Sequence, residues 1–349
     1  MGAGPMNRPH AKPHVPHVTI ADVAKRAGVS IGTVSRVLNN VENCGMDVRV
    51  RVRGAVEALG YVPNHAARSL KRQLTMQLAL VVPDLTNPVY AQMAVGVQRE
   101  AAAAGYHLTL VSSGGDWSEE RFALQSLAER QVDGAIVCSL HVTPSLVRAV
   151  AEHAGSICVI GGLPLECPVD NVRLDSLRGV ALAVEHLVAS GRRRIAFVNG
   201  TSGTVPHEVR DRGYRHALTE ADLAVDERLV ARGDFTMAGG YEAVDALMAT
   251  GVAFDALFCA NDMMALGAMR RLQELGTSVP RQVAVVGMDD IEAARMSTPT
   301  LTTVSLLARE RGRIACELLL RRLSGAATAG PEKVTVVPKL IQRESSAAD

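Results

Sequence analysis

From residue 18 to residue 39 the chain reads VTIADVAKRAGVSIGTVSRVLN. Ile20, Val23, Ala24 and Ala27 recur at the spacing of one helical face and stop at Gly28, which predicts a short helix ended by a glycine turn. Val29 plugs that turn, Ser30 is a good N-cap, and Val34, Val37 and Leu38 form the apolar face of a second helix. Two short helices across a tight glycine turn make a helix-turn-helix unit. A third helix, from about Asp47 to Leu59, closes a miniature core with Val52, Val56 and Leu59.

From Leu78 onward the pattern changes. The short apolar runs LALVV, HLTLV, GAIVC, ICVIG, RIAFV, ALFCA and VAVVG each lead through a loop into an Ala/Leu-rich helical stretch. Runs of this kind are the strands of a buried parallel sheet, so the body is expected to be a doubly wound α/β structure. That many units exceed one comfortable sheet, which predicts two lobes with a cleft between them, and in such folds ligands sit outside the carboxyl ends of the strands. Between the two parts lies PNHAARSLKRQLTMQ, residues 63–77. Asn64 can cap a helix of about eight residues there, too short to be stable alone in water. The expected organisation is a tail over 1–17, a headpiece over 18–63, a hinge helix and linker over 64–77 and a body over 78–349.

Length agrees with that division, since 349 residues exceed one ordinary domain. With 48% hydrophobic and 21% charged residues the composition is that of a soluble globular protein, and no apolar run approaches the roughly 18 residues of a membrane helix. The opening MGAGPMNRPHAKPHVPH has prolines and histidines where a secretory signal needs an apolar stretch. Cys44, Cys138, Cys158, Cys167, Cys259 and Cys316 form no CxxC pair, so reduced core thiols are expected rather than disulfides or zinc ligands. A cytoplasmic protein is the expectation. His10, His14 and His17 would share a face only on a helix, which Pro13 and Pro16 oppose, and neither a metal nor a cofactor is expected.

The net charge of +1 conceals an asymmetry. Residues 1–75 carry eleven basic against four acidic side chains, a net +7, which leaves the remainder at −6. A basic head on an acidic body suits a polyanion-binding module, although a basic stretch alone is more often a solvated face.

The string VTIADVAKRAGVSIGTVSRVLNN followed by EALGYVPNHAARSLKR closely resembles the headpiece and hinge of the LacI/GalR family of transcription regulators. The likeness continues through DLTNPVY, the R-x-x-G-Y of Arg210–Tyr214, GDF, ANDMMALG, VVGMDD and TPTLTTV. It implies a small all-α headpiece joined to a periplasmic-binding-protein-like body. It further implies a homodimer on a near-palindromic double-stranded DNA operator, because one headpiece reads only a half-site. The helix from Ile31 would enter the major groove, with Ile31 and Gly32 choosing among operators and Thr33, Ser35 and Arg36 meeting phosphates and base edges. An Arg fork suits guanine O6 and N7. Thr19, Ser30, Asn39 and Asn64 suit phosphate contacts, while Ser30 and Asn64 serve equally as helix caps. Leu70 falls where the family inserts a leucine into the minor groove; by periodicity alone it is a helix-packing residue. One departure is NCGMDVR, whose Gly45 and Val48 replace the usual cap and Thr before Arg and predict a looser start to the third helix.

For the body, the resemblance implies a small-molecule effector in the cleft, near Tyr90, Arg210, Phe235, Asn261 and Asp289. These residue types suit a sugar or sugar acid: carboxylate, amide and guanidinium for hydroxyls, an aromatic ring for an apolar sugar face. Packing for Phe235 and helix capping for Asp289 and Asp175 are the plainer roles, and His207 is expected in an exposed loop. The fold also hosts enzymes and transport-type sugar-binding proteins. No Walker loop or HExxH is present, nor a GxSxG elbow between a strand and a helix (the GVSIG of residues 28–32 falls between two helical stretches), to suggest catalysis, and the headpiece argues against transport. A transcription repressor, not an enzyme, is the expected function.

Overall fold

A computed structural model describes residues 18–38, 44–61, 74–114, 124–327 and 329–347. The chain divides into two compact units, Met1–Leu74 and Thr75–Asp349.

Among the described residues the first unit holds three helices: α1 (Ile20–Ala27), α2 (Ile31–Leu38) and α3 (Met46–Leu59). Its core is Val23, Ala24, Ala27, Val34, Val37, Val52 and Ala55, with Leu38, Val56 and Leu59 packed at the margin. The predicted helix-turn-helix is therefore present, and its turn depends on Gly28 at φ 64°, a left-handed conformation that costs a residue with a Cβ about 1–2 kcal/mol. α3 begins on Gly45 without a side-chain cap, as the NCGMDVR departure predicts.

The second unit contains two six-stranded sheets. One runs in the order β11-β5-β4-β3-β1-β2 and is parallel throughout; the other runs β12-β10-β9-β8-β6-β7, with β12 antiparallel to β10 and the rest parallel. The first lobe takes β1 (Gln77–Val82), β2 (His107–Ser112), β3 (Gly134–Cys138), β4 (Ile157–Ile160), β5 (Asp170–Leu174) and β11 (Lys333–Val336). Helices α4 (Pro88–Ala103) and α5 (Pro144–Glu152) belong to it. The second takes β6 (Ile195–Asn199), β7 (Val230–Arg232), β8 (Ala256–Cys259), β9 (Ala284–Met288), β10 (Thr302–Ser305) and β12 (Lys339–Ile341). Its helices are α6 (Ser176–Ala189), α7 (Val205–Glu220), α8 (Met237–Ala249), α9 (Asp262–Glu274) and the short α10 (Glu292–Met296). Helix α11 (Ala308–Leu323) follows β10 in sequence but returns to the first lobe, where Ala308, Ala315 and Leu319 share a core with Met93 and Val97 of α4. The chain thus passes between lobes three times, after β5, after β10 and between β11 and β12.

One strand departs from expectation. HLTLV, read as a buried run, is β2 at the sheet edge, and four of its six residues are exposed, Leu110 among them. An edge strand pairs on one side only and needs no covering layer on either face, so an apolar run alone does not establish burial. Among the described residues no helix is long and apolar enough to cross a membrane.

Candidate functional site

In the headpiece, the helix that the family resemblance assigns to recognition presents one face to solvent. Val34 and Val37 are buried beneath α2, while Ile31 is 51% exposed and Gly32 and Arg36 are exposed. Ser30 caps the helix: its Oγ accepts from the Thr33 amide at 3.1 Å and lies 2.9 Å from Thr33 Oγ1. Thr19 caps α1 in a reciprocal box, with Asp22 Oδ2 accepting from the Thr19 amide at 2.9 Å and from its hydroxyl at 2.7 Å. These bonds hold the Asp22 carboxyl below its ordinary range. Both hydroxyls therefore have structural work on the helices they open. Arg36 Nε donates weakly to the Gly32 carbonyl at 3.4 Å, which leaves the rest of the guanidinium toward solvent. Ser35 is half-buried beside it. Asn39, Asn64 and Leu70 lie outside the described residues.

In the body, a cavity of about 600 Å³ opens between the lobes at the carboxyl ends of the strands of both sheets. Tyr90, Arg210, Phe235, Asn261 and Asp289 all line it. The first lobe contributes Tyr90 from the first turn of α4, whose N-cap is Asn87. The second contributes the remaining four. Phe235 follows β7 at φ 70°, and that strained backbone is held by Asn261, whose Nδ2 donates to the Phe235 carbonyl at 2.9 Å. The ring lies so close over Gly200 that a Cβ there would sit 1.9 Å from Phe235 Cζ. Glycine at 200 is thus what lets the aromatic wall close. Asn261 Oδ1 also caps α9, accepting from the Met264 amide at 2.9 Å, so most of its hydrogen-bonding capacity goes to building the wall.

Charge distinguishes the interior. The Arg210 guanidinium is 8% exposed and stands 5.8 Å from the centre of the Phe235 ring. Asp289 occupies the end of β9 at φ 128°, its amide donating to the Val304 carbonyl at 2.9 Å. It does not cap a helix: α10 opens on Ile291 with no side-chain cap. Burial pushes the Asp289 carboxyl up to about 8, against the opposing pull of Arg210. Asp262 lies deeper, pushed up to about 6 by burial, although Thr303 Oγ1 donates to it at 2.5 Å and the Ile291 amide at 2.9 Å. Sequence reasoning did not single out Arg311. It lies in the first turn of α11, 8% exposed, and its side chain lines the same cavity. Asp175 caps α6 through the Arg178 amide at 3.0 Å, as expected, while also lining the rim. His207 corrects an expectation: it is half-buried in the first turn of α7 and its Nδ1 donates to the Gly200 carbonyl at 3.0 Å. The Thr204 cap pulls that segment into a helix.

Hydrogen bonds between described residues join the lobes near the cavity. The Val205 amide donates to the Leu140 carbonyl at 2.9 Å, His141 Nδ1 to the Gly203 carbonyl at 3.1 Å, and Gln92 Nε2 to the Asp290 carbonyl at 3.0 Å.

Comparison with known proteins adds to this geometry. Residues 19–64 match the model described as bacterial regulatory proteins, lacI family, and residues 184–346 match a periplasmic binding protein-like domain. The HTH-type transcriptional regulator CelR of Thermobifida fusca is 37% identical over 335 residues, covering 94% of this chain and 98% of that protein. The chain belongs to the LacI family. Another LacI-family relative, the ribose operon repressor of Escherichia coli (strain K12), is 32% identical over 331 residues, 94% of this chain and 99% of that one. A solved CelR–cellobiose complex matches with a TM-score of 0.71 at 34% identity, covering 95% of this chain and all of that one. The lac repressor dimer bound to operator and the anti-inducer ONPF matches at 0.84 and 28% identity, with the same coverage.

Proposed function

We propose that this LacI-family chain is a transcription repressor that binds a near-palindromic double-stranded DNA operator as a homodimer and is controlled by a sugar or sugar acid bound between the lobes of its body. What carries the reading is the presence on one chain of a headpiece helix with exposed Ile31, Gly32 and Arg36 and of an interlobe cavity walled by Tyr90, Arg210, Phe235 and Asp289. The relatives support it, being named as repressors and regulators, one of them solved with cellobiose and another with operator.

The headpiece would lay α2 in the major groove, with Arg36 donating to a base edge and Ile31 and Gly32 setting operator choice. Thr33 and Ser35, with Thr19, Ser30, Asn39 and Asn64, would meet the backbone, and Leu70 would enter the minor groove. Phosphate contacts position the protein and base contacts specify the sequence. The boundaries at 63 and 77 remain those that the sequence pattern suggests. In the body, about 600 Å³ suits a small polyol, since ligand sites commonly measure about 300–1,000 Å³. A ligand touching Tyr90 from one lobe and Arg210, Phe235 and Asp289 from the other bridges them, and so favours one closure of the cleft over another. By linkage, whatever factor the ligand imposes on operator affinity the operator imposes on ligand affinity, typically about 5- to 150-fold. The protein acts by binding, not by catalysis.

Selection from a random double-stranded library with the full chain tests the DNA half. An enriched near-palindrome is expected, and enrichment of none, or of a single half-site, would overturn it. Anisotropy of the selected operator, titrated with neutral sugars and sugar acids, tests the effector half. Operator affinity unmoved by every compound that binds the protein would overturn that part.

A further inference from the structure

Two buried guanidinium groups line the interlobe cavity, and neither is paired among the described residues. Arg210 and Arg311 are each 8% exposed, and the Nε of each has no hydrogen-bond partner among the described residues. Neither forms an ion pair with them, whereas Arg173, in the same wall, donates to the Leu163 carbonyl at 2.7 Å. Leaving a buried charge unpaired is among the costliest arrangements a protein tolerates. The neighbouring carboxylates do not balance the pair. Asp84 and Asp234 are exposed and bond within their own turns to Thr86 and Thr236, and Asp175 caps its helix. Among the described residues Asp289 is the one carboxylate that acts on both guanidiniums, and burial works against its ionisation. Tyr90, the other shared neighbour, is held neutral by burial. The deep part of the cavity therefore carries excess positive charge.

The two charges also come from different lobes. Arg210 is on α7 of the second lobe, and Arg311 is on α11, which packs on α4 of the first. The α11 backbone is locked against α4, where a Cβ at Gly312 would lie 2.2 Å from the Met93 carbonyl oxygen. Arg311 is thereby fixed at the cavity and cannot swing out with its helix.

We propose that the effector is an anion: a polyhydroxylated small molecule with one carboxylate or phosphate group, seated on Arg210 and Arg311 and joining the two lobes through that group. The inference rests on the effector reading above and narrows it from sugars in general to acidic ones. Guanidinium forks match carboxylate and phosphate oxygens two at a time, which neutral hydroxyls do not.

The test uses the full-length protein and matched probes: glucose, gluconate and glucose 6-phosphate; ribose, ribonate and ribose 5-phosphate; and inorganic phosphate at constant ionic strength. Calorimetry gives affinity, and anisotropy gives the effect on the selected operator. A charged member of a series should bind about 10- to 150-fold more tightly than its neutral parent, the range expected of one charge-assisted contact, and carboxylate and phosphate members separate the two sources of the anion. Arg311→Leu should erase the preference and raise the Tm of the ligand-free protein by removing an unpaired buried charge. Arg311→Lys, which keeps the charge without the fork, should retain a weakened preference even if the leucine variant fails to fold. Neutral parents binding as tightly as their acids, with no change in Arg311→Leu, would overturn the anion inference and leave the effector reading standing. Acid binding that depends on Arg311 but does not move operator affinity would uphold the anion site and overturn the effector reading. If none of the sugar series binds and inorganic phosphate gives no saturable stabilisation that Arg311→Leu removes, the anion site is overturned.

Discussion

The headpiece and the cleft both present arginine, in opposite states. Arg36 stands on an exposed helix face, its charge solvated and its Nε resting loosely on the Gly32 carbonyl. Arg210 and Arg311 are closed into a cavity wall with no partner for Nε among the described residues. An exposed guanidinium costs the fold little and can exchange water for phosphate or base, so its contacts are weak one by one, additive and sensitive to salt. A buried one has already lost its water, and the fold bears that cost until a ligand replaces it. An exposed charge thus suits scanning many sequences, and a buried pair suits answering one kind of molecule.

The largest expected effect falls on the buried side. Arg210→Ala should weaken effector binding by about 2–5 kcal/mol, as truncating one partner of a buried charged contact does. Calorimetry with whichever compound the wild type binds would check this, and a loss under tenfold would show that Arg210 serves packing against Phe235 rather than recognition. On the exposed side, Arg36→Ala should remove about 1–3 kcal/mol of preference for operator over random DNA while leaving most of the non-specific affinity. Equal losses on both DNAs would make Arg36 a phosphate anchor. Exchange of Ile31 and Gly32 should instead redirect the preference to another sequence in a repeated selection.

How much of this the sequence discloses depends on the same contrast between exposed and buried polar groups. LALVV and GAIVC announce β1 and β3 because every side chain that faces the core is apolar. β5 (DNVRL) and β10 (TTVS) are as central yet give no such signal. Their buried polar groups are satisfied internally: Asn171 Nδ2 donates to the Val159 and Gly161 carbonyls, Asp170 pairs with Arg322, and Thr303 binds Asp262. Hydrogen-bond partners distant in sequence cannot be read from periodicity. The three crossings between lobes were hidden for that reason, since they flank β5 and β10 and the late pair β11–β12. In the cleft, five residues could be placed because they end apolar runs or stand in family motifs. Arg311 does neither, but a signal existed. It lies on the stripe of Ala308, Ala315 and Leu318, at i−3, i+4 and i+7, where α11 buries its apolar face, and a charge on such a stripe marks a site.

A further test acts on stability. Asp289 faces Arg210, Arg311, Asp262 and Tyr90, and its carboxyl is raised to about 8 from an unfolded value near 3.8. Between those values the folded state holds a proton that the unfolded chain has released. Stability therefore falls as pH rises from about 4 to 8, and above 8 the whole cost of a buried carboxylate is felt. Asp289→Asn should raise Tm most at the alkaline end and flatten the decline, by roughly 2–4 °C for each kcal/mol recovered. Asp262, raised to about 6, leaves a smaller slope at lower pH in the variant. A parallel Tm profile in wild type and variant would show that Asp289 ionises normally, with Arg210 as its true partner.

The smallest effect returns to the headpiece, where each group is exposed and each contribution modest. Thr19 and Asp22 close the first turn of α1 on each other, and the unit they serve has, among the described residues, a core of seven buried side chains. Losing a Thr cap costs about 1 kcal/mol, which matters more to a small core than to a body with two large ones. Thr19→Ala should therefore lower the protection of α1 and α2 amides in hydrogen exchange while leaving amides of β3 and β8 unchanged. Its effect on DNA discriminates between two roles for the same hydroxyl. If Thr19 only caps, affinity falls about equally on operator and random DNA at every salt concentration, because fewer headpieces are folded. If it also meets a phosphate, the slope of log affinity against log salt flattens by nearly one counterion for the lost contact only if Thr19 orders a basic neighbour such as Lys25 or Arg26; the neutral hydroxyl itself releases no ion. Reduced amide protection with a loss of affinity that matches the unfolded fraction would fix Thr19 as a cap, and unchanged protection with reduced affinity would fix it as a contact.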